Sequence, residues 1–426
     1  MLLAIFGASA VAGVLIFAIA TSTSKSSSVG PVSIWGTVDG GTFTSMIENA
    51  ANTYPALSQV TYVQKDPTTY TADLTRALAS GSGPDVFLIS QDQAVETASE
   101  VQLFPYTSVS PTQFRDAFIQ AADPFLVPTG VVALPIAADP LVLYWNKDIL
   151  ATAAYSQPPQ YWEQLLDMVP QLTQRDDAGT IQRSAVAFGE YVNVENAKDI
   201  LSALIMQAGG SLTAYDSTNR LGSAMSKSGI VASEPAAVTA LRFYTQFADP
   251  SKSYYSWNRS LANSQQAFAQ GNLALYIGYA SELSQIQSEN PNLNFAVARL
   301  PQIKNAPHTV DVARVYGLAV SHTSHNIAGA QNVVATLVSA VNSAAYATAF
   351  NLSSARRDVL SQTSTGNQSL FNAATISSYS WTDPNSAATA TLFQAMIEDT
   401  TSGTILVGDA VGRADAQMTQ IINNNH

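Results

Sequence analysis

The chain has 426 residues, long enough for two domains with sizeable cores, and no cysteine, so an exported domain would stand without disulfides. Its formal charge is −12 with only 12% charged residues, which leaves Ser, Thr, Asn and Gln to cover most of the surface. No basic stripe is present, which argues against nucleic acid as a partner, and His308, His322, His325 and His426 stand in no metal-ligand spacing, so neither metal nor cofactor is expected.

The first element is Leu2 to Ala20, apolar or small without a charge, followed by a Ser/Thr-rich tract from Thr21 to Val29 that contains Lys25. Such a run spans a bilayer, which takes about 20 residues, and is set aside as a targeting element. Ala18-Ile19-Ala20 is similar to a signal-peptide cleavage site, whereas the full spanning length favours a retained anchor. Both stay open, with the anchor preferred. The missing basic region before the run suggests a start further upstream. Residues 1–20 are therefore read as signal peptide or anchor and 21–30 as linker.

Past the linker, strand-like and helix-like segments alternate, the α/β signature. Short apolar runs suited to buried strands are Val32–Trp35, Val60–Val63, Val86–Ile89, Val131–Leu134, Leu141–Trp145, Leu273–Ile277, Phe295–Ala298 and Tyr316–Val320. Helical spacing marks Thr42–Thr53, Tyr70–Ala79, Tyr161–Gln171, Glu195–Gln207, Pro235–Phe247 and Ile327–Val341. In the second of these, Tyr70, Leu74, Ala77 and Leu78 make one buried face and leave Asp73 and Arg76 outside. No fixed internal period is visible, so a solenoid is not expected.

The most informative stretch is Pro135 to Leu150, PIAADPLVLYWNKDIL, with Pro158, Pro159 and Trp162 after it. Its prolines impose an extended or turn backbone around a central carboxylate, Asp139, and a helix start follows at Asn146–Asp148. This resembles the first interlobe crossing of family 1 extracellular solute-binding proteins, the sugar-binding subunits of ABC importers. Three further pieces match in order: Trp35 onward (IWGTVDGGTF) with Tyr54, Pro55 and Val60–Val63; LTRALASGSGPDVF from Leu74 to Phe87; and FAQGNLALYIGY from Phe268 to Tyr279. The resemblance implies a two-lobed, type II periplasmic-binding-protein fold of α/β class. Its first lobe would be 31–138 plus 312–352 and its second 139–311 plus 353–426, with a ligand held between them.

It also implies a carbohydrate ligand, ABC permease subunits as partners, a monomer without catalytic activity, and a place outside the cytoplasmic membrane. The zero cysteine count rules out the thioether lipid tether usual in such proteins. Residues 2–20 would replace that tether unless they are cleaved.

Sugars offer apolar C–H faces and a ring of hydroxyls, so aromatic platforms and short polar acceptors are the chemistry required. By the resemblance the ligand set is Trp35, Thr37, Asp39, Asp92, Arg314 and Tyr316 from one lobe, with Asp139 on the crossing where the second begins. Tyr191, Asn193, Trp257, Tyr279 and Ser281 come from the other. Alternatives stand beside several of these: Trp35 as core packing, Asp39 as a turn residue, Asp92 as an N-cap, Asp139 as a solvated hinge, Trp257 as a loop anchor, and Arg314 as the partner of Asp311. Asp85, after Pro84, reads as structural. Many sugar binders carry an aromatic residue near the helix beginning around Ala388, where this chain has small residues. A platform there would be missing or moved to Tyr379 or Trp381.

Two other functional classes draw on features of the same sequence. A secreted polysaccharide hydrolase would use paired carboxylates such as Asp92 and Asp139, but no GxSxG or metal motif occurs. A surface adhesion module would exploit the Ser/Thr-rich surface yet would not account for the ordered crossing motif.

Overall fold

The computed structural model describes residues 29–229 and 234–424, and the targeting segment proposed above lies outside them. The described chain packs as two compact units. The first holds the chain up to Asp139 together with Ala313–Asp383, and the second holds Pro140–Val312 with the chain from Pro384 onward. Residues 353–383 thus pack with the first unit, whereas the sequence reading set them in the second. No helix among the described residues is long and apolar enough to cross a membrane.

In the first unit, strands Val32–Gly36, Val60–Gln64 and Val86–Ser90 run parallel, with Val32–Gly36 between the other two. Asp311–Val320 joins antiparallel to Val86–Ser90, placing Tyr316 opposite Ser90 and Val320 opposite Val86. Helix Gly40–Ala51 begins where Asp39 accepts from the Thr42 N–H at 2.8 Å, and buries Phe43, Met46 and Ile47 on a single face. Phe43 stacks on Tyr62 of the neighbouring strand, ring centroids 4.2 Å apart. Helix Tyr70–Ala79 buries the four residues its spacing predicted, while Arg76 meets Asp73 at 3.2 Å outside. Asp85 is structural, as expected: it accepts from the Ser33 N–H at 2.8 Å and from the Ser324 hydroxyl at 2.6 Å.

Leu134–Asn146 is one unbroken strand that carries the chain out of the first unit. The sequence reading split it into two runs with a kinked polar connection. Proline's fixed φ is compatible with an extended chain, and the lost N–H of Pro135 and Pro140 removes donors without ending the strand. Its Ala137 and Ala138 pair with Ser354 and Ser353 of the first unit. At its far end the Asn146 Oδ1 accepts from Asp148 and Ile149, both at 3.0 Å, and so starts the expected helix, Lys147–Thr152.

In the second unit, Leu141–Trp145 pairs antiparallel with Leu273–Tyr279, which runs parallel to Ile181–Val186. Phe295–Ala298 pairs with the same end of the long strand. Helices Ala197–Gln207 and Ala236–Thr245 pack together, and Ser386–Thr401 packs on Val407–Asn424. An aromatic core of Trp162, Phe188, Phe243, Tyr244 and Phe247 fills the interior, with neighbouring centroids 5.1–6.4 Å apart.

Candidate functional site

Parallel strands end together, and in open α/β sheets ligands bind beyond their carboxyl ends. In the first unit that end is marked by Gly36 and Ser90. Thr37 and Asp39 follow the first strand and Asp92 follows the third, while the antiparallel strand brings Tyr316 level with Ser90 and Arg314 beyond it. Six of the seven first-unit residues expected from the sequence therefore reach one end of one sheet: Trp35, Thr37, Asp39, Asp92, Arg314 and Tyr316.

Their states differ. Trp35 is half-buried, packed against the core, and its ring carries the Lys65 ammonium 3.5 Å from its centroid. Lys65 was not foreseen, although its place just after strand Val60–Gln64 puts it in an equivalent loop. Thr37 is half-buried. Asp39 is the exposed N-cap described above; its hydrogen bonds from the Thr42 hydroxyl and N–H hold the carboxyl below the ordinary range. Asp92 is half-buried inside the short turn Gln91–Gln93 and accepts from the Ser90 hydroxyl, so Ser90 rather than Asp92 caps that turn. The turn is fastened to the opposite strand by the Val315 N–H, which donates to the Gln91 Oε1 at 2.7 Å.

Tyr316 is the hub of this end. Burial pushes its hydroxyl pKa up, the hydrogen-bonded Arg314 guanidinium pulls it back, and the Asp139 and Asp92 carboxylates push it up again. Asp139 itself is only 2% exposed, so the solvated hinge considered for it is not what the fold builds. The Asp311 carboxylate, weighed as a partner of Arg314, is fully buried and accepts from the Arg299 Nε at 3.1 Å.

In the second unit the parallel strands Ile181–Val186 and Leu273–Tyr279 likewise end together, and Tyr191, Tyr279 and Ser281 lie at or just after those ends. Tyr191 is half-buried, its hydroxyl pKa raised by burial and by the Asp199 and Glu398 carboxylates. Beside it, buried Glu190 accepts from Arg259 at 3.0 Å. Ser281 is exposed and Tyr279 buried. The strand end is locked by Glu282, which accepts from the Tyr279 N–H at 2.7 Å, Asn196 at 3.1 Å, Gln265 at 3.0 Å and the Tyr276 hydroxyl.

Two expected ligand contacts are structural. Trp257 is 1% exposed, so neither face of its ring is open for stacking, and its indole N–H is held by Asn193. Asn193 in turn donates to the Asn258 and Leu261 carbonyls at 2.9 and 3.0 Å. The loop-anchor alternative is the one observed. Among the described residues no group of three or more His, Asp or Glu side chains is placed to hold a metal ion.

Residues 35–344 match the family described as bacterial extracellular solute-binding protein. A putative binding protein of Brucella abortus (strain 2308) is 24% identical over 239 residues, 54% of this chain and 52% of that one, so the chain spans about half the length of the curated relatives it matches. Among solved structures, an ABC transporter solute-binding protein of Thermotoga lettingae TMO, bound with alpha-D-tagatose, is similar with a TM-score of 0.69 at 18% identity. That match covers 92% of this chain and 100% of the other. The cyclic alpha-maltosyl-1,6-maltose binding protein of Arthrobacter globiformis gives a TM-score of 0.73 at 17% identity, covering 93% and 100%.

Proposed function

This chain belongs to the bacterial extracellular solute-binding proteins, and from that premise we propose that it captures a mono- or oligosaccharide outside the cytoplasmic membrane and delivers it to the permease of an ABC importer. The observation that carries the reading is the gathering of Trp35, Asp92, Arg314 and Tyr316 at the carboxyl end of the first unit's parallel sheet, with buried Asp139 beside them. An indole and ionised acceptors are the groups a polyhydroxylated ring requires, since charged acceptors roughly double the strength of a neutral hydrogen bond. The sugars named for the two solved relatives support the same class. Thr37, Asp39, Tyr191, Tyr279 and Ser281 complete the proposed ligand set, while Trp257 and Asn193 are left out of it.

The protein binds without turnover and acts as a monomer. Residues 2–20 tether it to the outer face of the membrane, and the chain passes from one lobe to the other after Asp139, Val312 and Asp383. Purified protein should melt at a higher temperature with its saccharide, because a ligand of the native state adds RT ln(1 + [L]/Kd), roughly 2.7 kcal/mol at a hundredfold excess over Kd. A broad saccharide screen without any shift would remove the carbohydrate reading. Release of reducing ends would show a hydrolase.

A further inference from the structure

We propose that Lys65 is a ligand-binding residue: its ammonium, seated on the Trp35 indole at the carboxyl end of the first unit's parallel sheet, donates to an oxygen of the captured saccharide. The inference rests on the carbohydrate reading above and adds a donor to a ligand set rich in acceptors.

The backbone sets the pair up. Trp35 lies opposite Val63 in the parallel strand pair, and the ladder continues past the strand, the Lys65 N–H donating to the Gly36 carbonyl at 2.8 Å. Residues two apart on a strand share a face, so Lys65 leaves the sheet on the same side as Val63 and Trp35. Its ammonium comes to rest 3.5 Å from the centroid of the Trp35 ring. The indole is half-buried and packed on the core, which makes it a fixed seat for a side chain that would otherwise spread over many rotamers.

What this ammonium lacks is an acceptor within the chain. Among the described residues no carboxylate, carbonyl or hydroxyl takes one of its N–H groups, and the Trp35 indole N–H is likewise without an acceptor. The acceptors of the adjoining loops are already engaged. Asp39 accepts from the Thr42 N–H and hydroxyl at 2.8 and 2.7 Å, and Asp66 accepts from the Thr68 N–H and hydroxyl at 2.8 and 2.6 Å. Gln64 Oε1 accepts from the Gly40 N–H at 2.9 Å. The indole face thus holds the charge in place and leaves N–H groups for oxygens from outside the chain. A saccharide is covered with such oxygens. Trp35 enters the ligand set as the seat of that ammonium, because a sugar that reaches this face of the ring meets the lysine first.

The test is titration calorimetry on the whole protein with glucose, galactose, mannose, xylose, maltotriose, cellotriose and mannotriose. Wild type is compared with Lys65→Met, Lys65→Arg, Trp35→Leu and the Lys65→Met/Trp35→Leu double variant. Methionine keeps an apolar stem on the indole and removes the donors. For a saccharide that binds the wild type, Lys65→Met should lose affinity by about tenfold to a hundredfold, the size of one charge-assisted hydrogen bond, at nearly unchanged melting temperature. Lys65→Arg, which keeps charge and donors, should regain part of that loss. Since the indole acts through the lysine, Trp35→Leu should cost little more once Lys65→Met is in place; two fully additive losses would make Trp35 an independent platform and overturn the seating. Should Trp35→Leu fail to fold, the two Lys65 variants decide. In the ligand-free protein the Lys65 ε-methylene protons should resonate upfield of those of exposed lysines, through the ring current of Trp35, and should shift when the saccharide is added. A Lys65→Met protein that binds as tightly as wild type overturns the inference, and one that binds more tightly shows that the lysine obstructs the indole; either result leaves the carbohydrate reading standing. If no member of the panel binds the wild type, the carbohydrate reading itself fails and this inference falls with it.

Discussion

The indole N–H of Trp257 donates to the side-chain oxygen of Asn193 at 3.1 Å, and both residues are buried. This single bond joins the loop around Trp257 to the segment that follows strand Ile181–Val186, and it holds the loop's tryptophan inward. Asn193→Ala would strand the indole N–H and two backbone carbonyls. An unmet buried polar group costs about 1–3 kcal/mol, so the melting temperature should fall clearly while saccharide affinity, measured by calorimetry on the folded fraction, stays within a few-fold. A large affinity loss with unchanged melting would restore Asn193 and Trp257 to the ligand set.

Gly278 offers a second stability test that is independent of any ligand. A methyl group built there would lie 2.5 Å from a Tyr276 ring carbon and 2.6 Å from the Glu282 carboxylate. Both neighbours belong to the network that locks the end of strand Leu273–Tyr279, so neither can retreat without losing a hydrogen bond. Gly278→Ala should therefore destabilise by roughly 1–3 kcal/mol, read as a lower denaturant midpoint at unchanged slope. Gly222→Ala, whose added carbon would meet nothing closer than 3.9 Å, serves as the mild control.

The strands were legible where apolar runs are short and β-branched, and the helix Tyr70–Ala79 was legible to the residue because its buried face repeats at i, i+4, i+7 and i+8. The single strand Leu134–Asn146 was not. Its alanines and prolines break the apolar pattern although every one of them is compatible with extended backbone, and its continuity is set by pairing with distant segments. For the site, position at a strand end could be read from the sequence, but burial and partnership could not. Asp92 and Asp39 look alike in the chain, yet one is half-buried beside Tyr316 and the other is an exposed helix cap. Trp257 followed the chemistry expected of a platform, but the side-chain amide that claims its N–H lies 64 residues earlier. Lys65 and Glu282 act through contacts that no local spacing announces.

Acid should weaken the fold through exposed aspartates in a helix cap and in turns. Asp39, Asp66, Asp176 and Asp216 each accept hydrogen bonds from nearby backbone and side-chain donors that hold their carboxyls below the ordinary value. A group whose folded pKa is lowered contributes stability that is fully present above its unfolded pKa and is lost as pH falls through the folded one. The unfolded value is about 3.9, so melting temperature should be flat in these groups above about pH 5 and should decline below about pH 4. Asp39→Asn, which still caps, should remove its share of that decline; the Asp39 carboxyl resonance in the wild type should titrate below the free-aspartate value.

Asp139 should contribute to ligand affinity and to folding alike. As a solvated cleft carboxylate it would have mattered to the ligand alone, but it is 2% exposed and lies in the field of Tyr316, whose hydroxyl is hydrogen-bonded to Arg314. Asp139→Ala removes a charge-assisted acceptor, about 1.5–3 kcal/mol, so affinity should fall by about tenfold to a hundredfold at 1.4 kcal/mol per decade. It also leaves the Arg314 and Tyr316 pair facing an emptied buried position. The ligand-free protein should therefore lose roughly 1–3 kcal/mol, seen as a lower melting temperature. Asp139→Asn separates the two contributions, because it fills the position and keeps an acceptor oxygen while removing the charge: stability should recover in large part and affinity only in part. If Asp139→Ala melts normally and loses affinity, the carboxylate serves the ligand alone. If it melts low and binds normally, Asp139 is a folding residue and the ligand is held by its neighbours.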